Sequence, residues 1–215
     1  MSRRGGVAGR WLLVAAGLGT VTGAAAGAAA GDAVARFERG LAATRDVEAK
    51  LVQVRRSPLL EGAQRATGRL YLRRPGDARL EYDTPEPLVL LKRADTAYVY
   101  VKSLRQVQVM PAAGAGVPVG WVLGSSLAEI RRLAEVRAVG AEVEIVPRAG
   151  SGLPWERLRL GFPATGDFPV RFRLSDGSGD EIEIRLEGVR RNRGVADERF
   201  RPVWPAGTRR VDLGR

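Results

Sequence analysis

The amino-acid sequence predicts a mainly β protein of the α+β class, an antiparallel sheet of about eleven strands with short helices laid against it. Three observations lead there. Long stretches alternate apolar and charged residues, clearest in Arg157-Leu158-Arg159-Leu160, Val170-Arg171-Phe172-Arg173-Leu174 and Glu181-Ile182-Glu183-Ile184-Arg185-Leu186-Glu187. Compact turn signals separate such stretches, among them Pro75-Gly76-Asp77, Thr84-Pro85-Glu86-Pro87, Ala94-Asp95 and Asp176-Gly177-Ser178-Gly179. Helical periodicity is confined to three short places. Successive side chains of a strand point to opposite faces, so strict alternation describes a sheet with one apolar face and one wet face.

Taken in order, residues 1–10 hold Arg3, Arg4 and Arg10 and no acid, and an uncharged run follows from Trp11 to Gly31. Its apolar strength lies between Trp11 and Leu18; small residues then dominate, including Ala24-Ala25-Ala26 and Ala28-Ala29-Ala30. A basic start, a short apolar stretch and a small-residue site are the parts of a secretory leader, so residues 1–30 are expected to be removed on export. An uncleaved membrane anchor is the competing reading, weakened because the run contains five Gly and eight Ala. Asp32 is placed to cap a helix over 32–44, in which Val34, Phe37, Leu41 and Ala42 share one stripe. Strands are expected near 46–55, 66–74, 78–83, 87–93, 96–102 and 105–110. A Gly/Ala/Pro loop from Pro111 to Pro118 leads into an apolar segment read as helical over 118–124. Ser126-Leu127-Ala128-Glu129 is a capping box that opens a helix over 127–134. Strands near 135–139, 142–148, 157–162, 170–174 and 181–187 follow, and a sheet of this size must curl or close. Arg171, Arg173 and Arg185 are expected to pair across strands with Glu181, Glu183 and Glu187. No repeat or linker divides residues 31–215, which read as one domain.

Composition narrows the function. The chain contains neither Cys nor His. Disulfides, thiolate nucleophiles, Cys-ligated metal sites and every hydrolase that depends on a histidine base are therefore excluded. A carboxylate-pair enzyme stays chemically open, but the acids lie on alternating strand faces with no pair in an apolar stretch. No enzyme activity, metal or cofactor is expected. The formal charge is +11, of which the leader carries +3, leaving +8. Such a surface attracts acidic partners or anionic lipid, while export argues against nucleic acid. Much of this charge is also simply the wet side of a sheet. The three helices can cover the apolar side of so large a sheet, leaving either a packed core, the default for protein interiors, or a cavity.

The order of motifs resembles the LolA family, the periplasmic carriers of outer-membrane lipoproteins. Gly68-Arg69-Leu70-Tyr71-Leu72-Arg73-Arg74-Pro75-Gly76, followed by Arg79-Leu80-Glu81-Tyr82 and Pro85-Glu86-Pro87-Leu88-Val89-Leu90, is similar to that family's central strands. Ala97-Tyr98-Val99-Tyr100 resembles its next strand, Pro118 to Gly124 its lid helix, and Asp197-Glu198-Arg199-Phe200 with Pro205-Ala206-Gly207-Thr208 its C-terminal signature. The resemblance implies an unclosed β-barrel with lid helices over an apolar cavity. It implies acylated lipoproteins as cargo, an inner-membrane ABC lipoprotein exporter as donor, an outer-membrane lipoprotein receptor as acceptor, and a monomeric carrier in the periplasm. Each acyl methylene left in water costs about 0.8 kcal/mol, so shielding is the whole task and no bond chemistry is needed.

The same resemblance implies that Arg74 is a latch, hydrogen-bonded to lid carbonyls while the cavity is empty. Strand parity puts Arg74 on the face of Leu70 and Leu72, at the mouth of an apolar surface, and a guanidinium offers five donors to peptide oxygens. The cavity-lining candidates are Leu70, Leu72, Leu80, Tyr82, Leu88, Leu90, Leu160, Phe172 and Ile184, with Trp121, Val122 and Leu123 on the lid helix. Ala78 and Leu80 depart from the family's aromatics, which leaves the cargo open: a glycolipid carrier or an envelope sensor of the same fold is the alternative.

Overall fold

The computed structural model describes residues 23–112 and 118–213, with side chains from 32 to 112 and from 119 to 213. The leader expected over 1–30 lies outside the described residues up to 22, and outside the described side chains from there on. The elements are α1 (Gly23–Ala42), β1 (Asp46–Arg56), β2 (Gln64–Arg73), β3 (Asp77–Thr84), β4 (Leu88–Arg93), β5 (Thr96–Val101), β6 (Gln106–Pro111), α2 (Pro118–Gly124), α3 (Leu127–Leu133), β7 (Ala134–Val139), β8 (Glu142–Pro147), β9 (Arg157–Gly161), β10 (Arg171–Ser175), β11 (Glu181–Arg191), a 3-10 turn (Asp197–Phe200) and β12 (Arg209–Asp212). All twelve strands form one sheet in the order β12-β6-β5-β4-β3-β2-β1-β11-β10-β9-β8-β7. Neighbours are antiparallel except β12, which runs parallel to β6.

The eleven expected strands are present, and β12 is the one the alternation did not announce. Arg209-Arg210-Val211-Asp212 is too short and too charged to read as a strand; it pairs because the preceding segment delivers it to the edge of β6. Helix α1 starts at Gly23, so Asp32 lies inside the helix instead of capping it. The Ala-rich stretch before it favours helix strongly enough to extend it backwards. Asp32 pairs there with Arg39 at 3.7 Å. Phe37 and Leu41 are buried as their spacing requires, but Ala33 joins them and Ala42 is exposed. The capping box at Ser126 is formed as read.

The cross-strand ion pairs differ from expectation. Arg173 stands opposite Glu183 in the ladder, yet its guanidinium bonds Glu142 of β8. Arg185 pairs with Glu183 on its own strand at 2.5 Å, and Arg171 faces Arg185, not an acid. The long arginine side chains reach diagonally, and the register set by the 176–180 turn decides which carboxylate is nearest.

Two irregularities bend the sheet. The ladder shifts between Thr67 and Gly68 on β2 and between Glu48 and Lys50 on β1, and such bulges increase local twist. Gly68 has no room for a side chain, because a Cβ would run into the backbone of Glu81. The concave face packs its buried residues, including Leu51, Leu70, Leu72, Leu160 and Phe172, against Phe37 and Leu41 of α1, Val122 and Leu123 of α2 and Ile130 of α3. A second cluster, Tyr71, Val89, Leu91, Tyr100, Val107, Val109 and Phe200, lies on the convex face. The C-terminal segment crosses that face as a strap. Phe200 is fully buried there, Trp204 stacks on Tyr100 with ring centroids 5.0 Å apart, and Arg79 Nη1 donates to the Arg199 carbonyl at 3.1 Å. The strap covers the convex face of β3 to β6, and α2 lies on the concave face of β2 and β3, so apolar residues occur on both faces in this part of the chain, which is why the first half of the sequence is more apolar than the second.

Away from the strap, the convex face carries a buried carboxylate. Glu144 on β8 is 1% exposed and accepts from Arg137 and Arg159 at 2.8 Å, with Arg157 at 3.3 Å. Burial pushes its carboxyl up, but the hydrogen bonds and charges of Arg159 and Arg137 outweigh this, and the net shift is downward. A carboxylate held below its unfolded value of about 4.3 contributes stability that is complete above that pH and disappears as pH falls through the folded value. Glu144→Gln is therefore expected to cost about 2 kcal/mol at pH 7 and to flatten the loss of stability below about pH 4, read from urea unfolding across pH.

Candidate functional site

Because the strands alternate in direction, one end of the sheet collects the loops 57–63, 85–87, 102–105 and 176–180, and the other collects the turns at 74–76 and 94–95 together with the ends of α1 and α2. An apolar cavity of about 370 Å³ opens at the first end. Its floor is buried: Leu80, Val119, Leu158 and Phe172 are at most 2% exposed. Its rim is exposed and polar, with Arg55, Gln64, Arg65, Thr84 and Glu86. Between them run Ala66, Tyr82, Leu88, Leu90, Leu174, Ile182 and Ile184.

Six of the nine wall candidates, Leu80, Tyr82, Leu88, Leu90, Phe172 and Ile184, line this cavity. Leu70, Leu72 and Leu160 do not. They are fully buried toward the other end of the sheet, in the cluster that holds α1 and α2, so the helices fill that part of the concavity solidly. On the lid helix, Val122 and Leu123 are likewise fully buried, and half-buried Trp121 packs on Trp155 with centroids 6.2 Å apart. Among the described side chains of α2, the one that reaches the cavity is Val119, near the start of the helix. Ala66, Leu158, Leu174 and Ile182 were missed among the wall residues. Leu158, Leu174 and Ile182 share the apolar face of strands read correctly from alternation, so their parity was available; their depth along the strand was not.

Tyr82 supplies a polar group inside the apolar wall. Its hydroxyl donates to Gln53 Oε1 at 2.8 Å, and burial pushes the phenol up to about 12, so it stays neutral at physiological pH.

Arg74 lies at the far end of β2 from this mouth. Eight steps along the chain, seven of them within β2, separate it from Ala66, about 26 Å at 3.3 Å per residue. The sequence placed it at the mouth, and the structure places it at the closed end, because β2 runs the whole length of the barrel. Its guanidinium donates to the Leu41 carbonyl in the last turn of α1, not to α2. That turn has carbonyls without helical donors, and side chains supply them: Thr44 Oγ1 donates to Gly40 O at 2.6 Å and Asn192 Nδ2 to Ala43 O at 2.8 Å. Burial draws the Arg74 guanidinium below its ordinary value while Glu129 of α3 opposes that shift, and it remains a cation at a helix C-terminus, where positive charge is favoured. The turn that follows Arg74 touches the other helix: a Cβ on Gly124, the last residue of α2, would sit 3.2 Å from Gly76 Cα. Arg74 and its turn therefore join the ends of α1 and α2.

A single curved sheet, helices over its concave face and an apolar cavity open at one end define an unclosed β-barrel with a lid. The chain belongs to the LolA family: the model described as "Outer membrane lipoprotein carrier protein LolA" matches residues 42–203. A relative from Methylobacillus flagellatus, named outer-membrane lipoprotein carrier protein, is 29% identical over 150 residues, covering 67% of this chain and 71% of its own. One of the same name from Dechloromonas aromatica is 28% identical over 170 residues, covering 76% and 80%. Among solved structures, a LolA superfamily protein from Nitrosomonas europaea shares the fold at TM-score 0.50 and 10% identity, over 80% of this chain and 97% of its own. An uncharacterised conserved protein from Thermus thermophilus does so at TM-score 0.51 and 13% identity, over 85% and 98%.

Tyr82→Phe removes the donor and leaves the Gln53 side chain facing an apolar wall. The expected cost is about 1 kcal/mol, seen as a lower midpoint in urea unfolding, with the cavity volume unchanged.

Proposed function

We propose that this chain is a periplasmic carrier that shelters the acyl chains of lipoproteins in the cavity between β3, β4, β10 and β11. It receives them from an inner-membrane ABC exporter and yields them to an outer-membrane receptor. On this reading the leader 1–30 is removed during export and the domain 31–215 is the working carrier, acting as a monomer. The observation that carries the proposal is the cavity of about 370 Å³ itself. It falls within the ~300–1,000 Å³ range of small-ligand sites, is walled by aliphatic and aromatic side chains, and has a polar rim that leaves a ligand's head group in water. Burial of methylenes at about 0.8 kcal/mol each supplies the affinity, and no reacting group is required. The names of the relatives from M. flagellatus and D. aromatica point the same way.

Arg74 has a role in this scheme as a clamp at the closed end. Widening the barrel for a second or longer chain requires the helices to move off the sheet. Arg74 ties α1 to the β2–β3 turn against which α2 ends, by hydrogen bonding worth about 1.5–3 kcal/mol for a charged donor. That is small enough for acyl burial to offset and large enough to keep the empty protein closed.

Two variants test the scheme on the purified, exported protein, whose intact mass also reports removal of the leader. Ala66→Phe, which narrows the half-buried wall near the rim, is expected to weaken binding of an acylated lipopeptide about tenfold, with little change in thermal midpoint. Unaltered affinity would show that the chains lie elsewhere. Arg74→Leu is expected to bind the lipopeptide more tightly and release it to receptor more slowly. A wild-type release rate would remove Arg74 from the cycle. Lipid extracted from the purified protein and identified by mass spectrometry separates lipoprotein cargo from glycolipid.

A further inference from the structure

The mouth end carries exposed apolar residues that no packing requires. Leu59 is 91% exposed, Leu104 67% and Leu60 36%. The first and last of these sit in the β1–β2 loop and Leu104 in the β5–β6 turn, both at the end where the cavity opens. These tips are built structures. At the base of the first, Arg55 pairs with Asp180, and Pro58 lies where a Cβ on Gly179 would meet its Cγ at 3.1 Å. Within it Leu60 N donates to Ser57 O at 3.2 Å. In the second, Arg105 N donates to Lys102 O at 3.2 Å, Lys102 N to Pro87 O at 3.1 Å and Ser103 Oγ to Glu86 at 2.6 Å. The leucines are held out toward solvent by polar scaffolding behind them.

The two tip segments are themselves positive. Residues 55–65 contain three arginines and one glutamate, and residues 102–105 contain a lysine and an arginine and no acid. Arg56, Arg65 and Lys102 are exposed, and among the described residues no carboxylate pairs with their side chains. Of the acids in the neighbouring loops, Asp180 is neutralised by Arg55, whereas Glu86 and Asp176 keep their charge while accepting from Ser103 and Ser178, and Glu181 stands opposite Arg56 in the ladder.

We propose that the mouth end is a membrane-contact surface, on which Leu59, Leu60 and Leu104 enter the interface of an anionic bilayer while Arg56, Arg65 and Lys102 meet its head groups. Separate convex apolar tips match a fluid interface, which closes around each one, better than they match a protein groove of fixed shape. Clustered basic residues beside them gain attraction from anionic lipid. The cavity opens between the tips, so an acyl chain passes between cavity and bilayer without crossing water. That last step rests on the carrier reading; the contact itself does not.

The absence of cysteine allows a direct test with the full chain expressed and the protein purified. Leu59→Cys is labelled with an environment-sensitive dye and mixed with phosphatidylglycerol-containing vesicles. The dye is expected to brighten several-fold and to be quenched by a lipid-borne quencher. The same label at Val139, at the other end of the sheet, is expected to stay in water. Arg56→Gln with Arg65→Gln is expected to weaken vesicle binding about tenfold, as is 0.5 M salt. A label at residue 59 that remains in water on these vesicles overturns the proposal, as does equal quenching at 59 and 139, or a response to a protein partner but not to lipid. Lipopeptide binding measured in the absence of vesicles separates the two ideas. If it persists while the vesicle response is absent, the contact surface fails and the carrier stands; the reverse result leaves the surface and removes the carrier.

Discussion

Everything in this molecule depends on one unmet closure. Twelve strands curl, but β12 and β7 remain the two edges of an open sheet, so the concave apolar face has to be covered by something other than strands. Three helices do this, and they fill only part of it. At the end where α1, α2 and the Pro75-Gly76 turn meet, Leu70, Leu72, Phe37 and Val122 pack to full burial. At the other end Val119 is the one helix residue among the described side chains that reaches the wall, the wall residues face one another across a gap, and the gap is the cavity. Cavity and core are two portions of one surface, divided by how far the helices extend along it.

The convex face solves the same problem differently. Between β2 and β6 it is apolar, and the C-terminal strap covers it with Phe200 and Trp204, then ends as a parallel strand on β6. Between β1 and β8 it is charged and needs no cover, and Glu144, the most deeply buried acid among the described residues, is enclosed by arginines from both neighbouring strands. The asymmetry between the two halves of the sequence, apolar first and alternating later, follows from this division of the outer surface.

Arginine serves three separate purposes here, and residue type alone does not tell them apart. Arg137 and Arg159 neutralise a buried carboxylate. Arg73 and Arg199 lie over the rings of Phe200 and Tyr71, where a planar guanidinium adds cation–π attraction to the strap. Arg74, the neighbour of Arg73 on the opposite face, donates to the end of a helix. One position along a strand changes the face, and with it the role.

Local pattern determined a great deal. Alternation located eleven strands, turn residues separated them, a capping box placed α3, and the missing Cys and His excluded whole classes of chemistry, because each of these is decided within a few residues of chain. Parity also assigned Leu80, Tyr82, Phe172 and Ile184 to the inner face. What it did not determine was depth along that face. Leu72 and Leu80 have the same parity and the same chemistry, yet one lies beneath a helix and the other beside a void. Arg74 sits at the closed end, β12 forms only where the strap delivers it, and the N-terminal boundary of α1 follows its Ala-rich stretch past Asp32. These outcomes rest on contacts between segments tens of residues apart, on the reach of helices over a sheet and on the register of strand against strand. A periodic pattern of apolar and charged residues carries no record of any of them.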